Sequence, residues 1–270
     1  MTVPSVRLIA MSGVFVVAAS FIPGKAHAQS RNEAPRNATV PVGGARVVRI
    51  DAGAGFLRVE GRDGLNEVRV RGTARVEGRG RLQDIRLIAE RRGGEVYIKA
   101  DIPKNDTDDW RDGSLLALDM IIEVPRTMRL DVEDTSGEAS FINTGALTLD
   151  DGSGAIDIRG MRGNLDIDDG SGEIQIEGVD GDVRISDGSG EIDARKVTGD
   201  FTVADDGSGG IRVRDVSGTM RVGSDGSGNI DVDGIGGDFV VHSDGGGGIR
   251  YDTVKGRVSI PERMRRMRRG

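Results

Sequence analysis

The 270-residue chain contains 43 glycines, no cysteine and 3% aromatic residues, and its formal net charge is −7. Without cysteine there is no disulfide framework and no thiol for a lipid anchor, and the acidic balance disfavours general nucleic-acid binding. The glycines follow no collagen-like period, and the scarcity of rings points to a core of thin layers of Ile, Val and Leu.

Residues 1–28 read as a secretory signal peptide: Arg7, an apolar run from Leu8 to Pro23, then Ala26 and Ala28 flanking His27 before Gln29. A retained membrane anchor is the competing reading, disfavoured because the run is short and contains Ser and Gly. The chain is therefore expected to be exported, to the periplasm or the extracellular space. Removing that segment takes away Arg7 and Lys25 and leaves 35 basic against 44 acidic residues, a net charge of −9. No later apolar stretch is long enough for a transmembrane helix.

Residues 29–40 are polar and contain Pro35, the composition of a loose leader. From 41 to 130 strand-like runs follow without a fixed period: "RVVRI", "FLRVE", "EVRVR", "EVYIKA", "LDMIIEV". They are expected to form an irregular β region that caps what comes next. Within it, Arg81 to Glu90 is ambiguous between strand and short helix, and the polar insert from Pro103 to Ser114 reads as an exposed loop.

Residues 131–261 are a repeat. A "DGSG"-like phrase starts at Asp134, Asp151, Asp169, Asp187, Asp206, Asp225 and Asp244, at spacings of 17, 18, 18, 19, 19 and 19 residues. Counting from each Asp after the first, position five is always isoleucine: Ile156, Ile174, Ile192, Ile211, Ile230, Ile249. Positions seven, ten, fourteen and sixteen are apolar, and position twelve is always glycine, from Gly163 to Gly256. Each repeat thus holds two short runs with period-two alternation, the mark of strands with one buried face. So short a unit cannot bury that face alone, but stacked on its neighbours it builds a continuous ladder and core. The fold class is all-β, a single-chain parallel β-solenoid of about 18–19 residues per turn and about six to seven turns. An antiparallel meander is the rival, but identical columns favour stacking, because alternate meander strands would need reversed patterns.

The repeated aspartates, Asp151, Asp169, Asp187, Asp206, Asp225 and Asp244, are read as an outward column of one charge sign. Their expected role is to shape the corner, each accepting a backbone N–H one or two residues on. The sharper alternative is a calcium ladder between layers. It is weakened because the calcium-binding repeat needs Asp two places after its last glycine, where this chain has Ile192 after Gly190 and Glu191. No other cofactor is indicated. The remaining outward columns mix charges, as in Asp157, Gln175, Asp193, Arg212, Asp231 and Arg250, and read as solvated faces with some pairing between layers.

Signals for catalysis are thin, and no catalytic residue is assigned. His242 reads as a solvated strand residue, no G-x-S-x-G is present, and "GAG" at Gly53–Gly55 lacks the rest of a dinucleotide fingerprint. The tail 262–270 has five arginines. It is read first as a solvated segment that blocks edge pairing, and second as a contact with an anionic envelope surface.

The run "MIIEVPRTMRLDVEDTSGEASF", the serial "DGSGxIxI" phrases and the closing "VKGRVSIP" resemble the bacterial DUF4097 family, a group often given an adhesin label. The resemblance spans about residues 41 to 261 and implies an exported β-solenoid without established enzymatic activity. Two function classes follow: a non-catalytic, adhesin-like or envelope-associated module facing a glycan or protein partner, and a polysaccharide lyase or hydrolase on a β-helix. A purely structural envelope spacer is a third.

Overall fold

Ile156, Ile174 and Ile192 lie side by side in neighbouring strands, each paired in register with the next. That relationship defines the architecture of the computed structural model, which describes residues 32–78, 80–103 and 115–261. The expected signal peptide, nearly all of the polar insert and the basic tail lie outside the described residues.

The N-terminal part contributes β1 (Glu33–Pro41), β2 (Val47–Ala54), β3 (Leu57–Arg62), β4 (Glu67–Glu77), β5 (Arg86–Arg92), β6 (Glu95–Asp101) and β7 (Leu115–Pro125). The repeats contribute β8 (Arg129–Ser136), β9 (Ala139–Ile142), β10 (Leu147–Asp151), β11 (Ile156–Arg162), β12 (Leu165–Asp169), β13 (Ile174–Asp180), β14 (Val183–Asp187) and β15 (Ile192–Val197). They continue as β16 (Phe201–Asp206), β17 (Ile211–Val216), β18 (Met220–Asp225), β19 (Ile230–Ile235), β20 (Phe239–Asp244), β21 (Ile249–Val254) and β22 (Val258–Ser259).

The described residues form two eleven-stranded sheets. The first runs β1-β4-β7-β3-β9-β11-β13-β15-β17-β19-β21, and the second β22-β20-β18-β16-β14-β12-β10-β8-β2-β6-β5. From β3 and β2 onward all pairing is parallel, as a solenoid requires, and about seven turns of about 19 residues are stacked. Between the sheets the inward columns form one apolar core, with Phe141, Phe201 and Phe239 among its largest side chains. Fully burying each such residue contributes about 1.5–3 kcal/mol.

A single torsion keeps the columns inward. Position nine of every repeat, Asn143, Gly160, Gly178, Lys196, Asp215, Gly234 and Thr253, adopts positive φ, between 48° and 75°. The left-handed step changes the strand's parity, so positions five, seven and ten all face the core. A second irregularity explains the period. Between β14 and β16 the register shifts after Ile185, and Ala204 is the extra residue. The turns before it have 17 or 18 residues and those from it onward 19, the extra position recurring at Gly223 and His242.

The N-terminal region is part of the same stack, threaded out of chain order. β2 and β3 pair in parallel with β8 and β9, and β6 and β7 pair in parallel on the far side of β2 and β3. The interposed β4 pairs antiparallel with β7, and β1 and β5 close the two sheets as antiparallel edges. Residues 33–41 are therefore strand rather than loose leader: in "EAPRNATVP" the small and apolar Ala34, Ala38 and Val40 alternate with outward side chains. The ambiguous segment divides, with a one-turn 3-10 helix at Leu82–Asp84 followed by strand β5.

Candidate functional site

The "DGSG" corner is shaped by steric demand first. Gly209, at φ +147°, is stacked so closely on the preceding turn that an added Cβ would lie 1.5 Å from the Gly190 carbonyl oxygen. Rungs such as Gly170 N–H to the Asp151 carbonyl (2.9 Å) and Gly172 N–H to the Ser189 carbonyl (2.9 Å) continue the ladder around the bend. No side chain fits between backbones packed in this way.

The aspartates do not face outward. Asp134, Asp151, Asp169, Asp187, Asp206, Asp225 and Asp244 are buried, at 1–6% exposure, and each is in register with the next. The correction follows from alternation: Val183, Ile185 and Asp187 are two residues apart on one strand and share its inner face. The expected corner bonds form at Asp169, Asp187 and Asp244. Ser171 N–H donates to Asp169 Oδ1 (3.2 Å), Ser189 N–H to Asp187 Oδ1 (3.0 Å) and Gly246 N–H to Asp244 Oδ1 (3.0 Å). Among the described residues, neither carboxyl oxygen of Asp134, Asp151, Asp206 or Asp225 has a partner in good hydrogen-bond geometry, although the N–H of Ser136, Ser153, Ser208 or Ser227, two residues on, lies near each.

Seven stacked carboxylates cannot all stay charged away from water. Neighbours about 5 Å apart repel by about 3 kcal/mol at an effective dielectric of 20, far more than at the dielectric of water. Burial, reinforced by the adjacent aspartates, pushes Asp134 and Asp206 up to about 7 and Asp151, Asp187 and Asp225 to about 6. Asp169 is also raised, chiefly by burial. Nearby serine N–H groups oppose the shift without cancelling it. Values near 7 leave Asp134 and Asp206 partly protonated around neutral pH.

A second aspartate column behaves in the opposite way, and sequence reasoning missed it. Asn164 Oδ1 accepts Asp182 N–H (3.1 Å), Asp182 Oδ1 accepts Asp200 N–H (2.9 Å), and Asp200 Oδ1 accepts Thr219 N–H (2.8 Å). Asp238 continues the pattern with Arg257 N–H (2.8 Å). The Thr219 N–H and the Arg221 guanidinium hold Asp200 below the ordinary aspartate range. The signal available was position thirteen, where Asn164, Asp182, Asp200 and Asp238 recur.

The outer face of the first sheet is a set of charge ladders. Arg195 and Lys196 meet Glu177 at 2.6 and 3.0 Å, Arg212 meets Asp193 at 3.2 Å, and Arg250 meets Asp231 at 2.7 Å, all across turns. The mixed columns therefore pair between layers as expected, and each such exposed pair contributes only about 0–1 kcal/mol. Two shallow troughs lie on this face. One lies among Asp157, Arg159, Gln175, Glu177, Asp193 and Arg195, the other beside Arg212, Arg214, Asp233, Arg250 and Tyr251. His242 is exposed on β20. Among the described residues no group of three or more His, Cys, Asp or Glu is placed to hold a metal ion.

No family model matches the chain, and no curated protein matches it. Solved structures do. A "putative lipid binding protein" from Parabacteroides distasonis is 14% identical, with TM-score 0.46, covering 84% of this chain and 97% of its own. A "putative adhesin" from Bacteroides fragilis is 11% identical, with TM-score 0.41, covering 86% and 98%. A "putative cell adhesion protein" from Clostridium sporogenes is 13% identical, with TM-score 0.34, covering 83% and 99%. Likeness of this degree transfers no function, and the fold rests on the strand pairing described above.

Proposed function

We propose that this chain is an exported, non-catalytic β-solenoid that serves as an adhesin-like or envelope-associated binding module, in keeping with its sequence resemblance to the DUF4097 family. One observation carries this reading. The outer face of the first sheet is a long parallel array of interleaved acidic and basic side chains with shallow troughs. Parallel strands held in register on both sides give such a face fixed spacing along the axis, suited to a repeating or extended partner such as a glycan chain or a protein strand.

The glycan-cleaving alternative receives less support. Hydrolysis needs an accessible carboxyl pair, one of them with raised pKa. Here the aspartates with raised pKa are interior, and many exposed carboxylates are engaged in ion-pair ladders. A glycan array run in parallel with reducing-end assays tests the proposal. Binding without turnover is expected; turnover would replace the binding module with an enzyme. A pull-down from the native envelope fraction then identifies a protein partner.

A further inference from the structure

We propose that the C-terminal end of the solenoid is a self-association surface, pairing β21 with β21 of a second copy of this chain in a closed twofold dimer. The inference is independent of the proposed binding function.

The two ends of the stack differ. At the N-terminal end both sheets finish in antiparallel strands, β1 and β5. Arg36 on β1 ties that end to the 3-10 turn, its guanidinium donating to the Leu82 and Ile85 carbonyls at 2.6 and 2.9 Å. At the C-terminal end, among the described residues, no strand pairs with the outer edges of β21 and β22. The inward columns, buried through β19 and β20, emerge there half-buried as Ile249, Tyr251, Val254, Val258 and Ile260. Each earlier turn aims the N–H of its first isoleucine at the next layer, as Ile211 does to the Asn229 carbonyl and Ile230 to the Gly248 carbonyl, both at 2.9 Å. Continued one step, Ile249 aims its N–H off the end. A ladder edge above an apolar layer is a template for another strand.

Charge complementarity selects the occupant. β21 reads "IRYDTV". Antiparallel pairing that sets Tyr251 opposite its own copy sets Arg250 opposite the partner's Asp252, and the twofold axis repeats that pair. Arg250 and Asp252 are both exposed on the outward side. They fall at the non-hydrogen-bonded positions, where opposing side chains approach most closely. Arg250 already binds Asp231 of its own chain at 2.7 Å, so the ion-pair ladder would run unbroken across the junction. Pairing β21 with its own copy uses the C-terminal edge of both chains at once, so the contact closes as an isologous pair and leaves the β1 and β5 edges at the outer ends.

Sedimentation velocity on the full mature chain tests this. The expected result is a dimer whose dissociation constant rises at least about tenfold in Arg250→Asp or in Asp252→Arg. The double swap R250D/D252R should restore it, with far-UV circular dichroism unchanged throughout. Two single variants guard against a local folding defect in one of them. A monomer at every attainable concentration, including one caused by residues 262–270 covering the end, overturns the proposal. So does a dimer indifferent to both single variants, or assembly into growing polymers.

Discussion

Asp206 stands directly over Asp187, in register through the pairing of β14 with β16, and both are almost wholly shielded from water. Beside each lie further aspartates rather than a base: Asp169 follows Asp187 on one side, and Asp225 follows Asp206 on the other. The positive charge nearest in the chain pattern sits on outward columns such as Arg184 and Arg221, beyond the wall of the sheet.

The first prediction concerns pH. The folded-state values of Asp134, Asp151, Asp187, Asp206 and Asp225, about 6 to 7, exceed the ordinary value of 3.8, so the native state holds more protons than the unfolded state across that window. Their stabilisation is fully present below about pH 4 and is lost as pH rises through about 7. Considering these groups alone, urea midpoints should rise from pH 8 to pH 5. A single group shifted by two units accounts for about 3 kcal/mol, and coupled neighbours contribute less than their sum. A midpoint that falls over this range would contradict the ladder.

Replacing one carboxyl by its neutral isostere should separate charge from shape. Asp206→Asn removes a charge from between Asp187 and Asp225 and supplies an amide donor to both sides. Thermal melts should show a higher Tm than the parent at pH 8 and little difference at pH 5.

Two adjacent glycines make a control pair. Gly209→Ala drives a methyl into the Gly190 carbonyl and should destabilise by about 3 kcal/mol or more, or prevent folding. Gly210 has no atom closer than 3.9 Å to an added Cβ, and other turns place Ala155 or Glu173 there. Gly210→Ala should stay within about 0.5 kcal/mol by equilibrium denaturation.

In one turn a large core residue is offset by a small one. The turn that carries Phe201 where its neighbour has Val183 also carries Ala194 where its neighbour has Ile176. Ala194→Ile should destabilise by about 1–3 kcal/mol through overpacking. Adding Phe201→Val should recover about 1 kcal/mol or more of that loss, measured as a double-mutant cycle in urea.

Calcium supplies a further test. Each turn offers one buried ladder carboxyl at a corner otherwise built of glycine and serine, far short of the six to eight oxygens that calcium takes. Equal Tm in excess calcium and in EDTA is the expected outcome, and a calcium-dependent rise would reinstate the metal ladder.

Much of this fold was legible because stacking converts identity between repeats into contact in space. The columns at Ile156, Ile174 and Ile192 announced their own register. The threading of β2 and β3 against β8 and β9 was not legible, since no repeated phrase marks those strands and their partners lie more than 70 residues away. The inward turn of the aspartates was legible in principle: counting by twos from Val183 reaches Asp187. Charge argued for the surface, and parity decided otherwise. The left-handed residue at position nine stayed hidden because Lys196, Asp215 and Thr253 share that torsion with glycine and asparagine without sharing a chemistry.

The extra residue at Ala204 bears on how such a chain finds its pairing at all. When one lap looks like the next, a segment can dock a full lap early and still match nearly every apolar neighbour, a degenerate misalignment that ordinary core chemistry does little to reject. A break between laps of unequal length works like the offset tooth on a key, because strands from either side of it mesh throughout at only one setting. Deleting Ala204 would therefore threaten the uniqueness of the wound state more than the strength of any one contact.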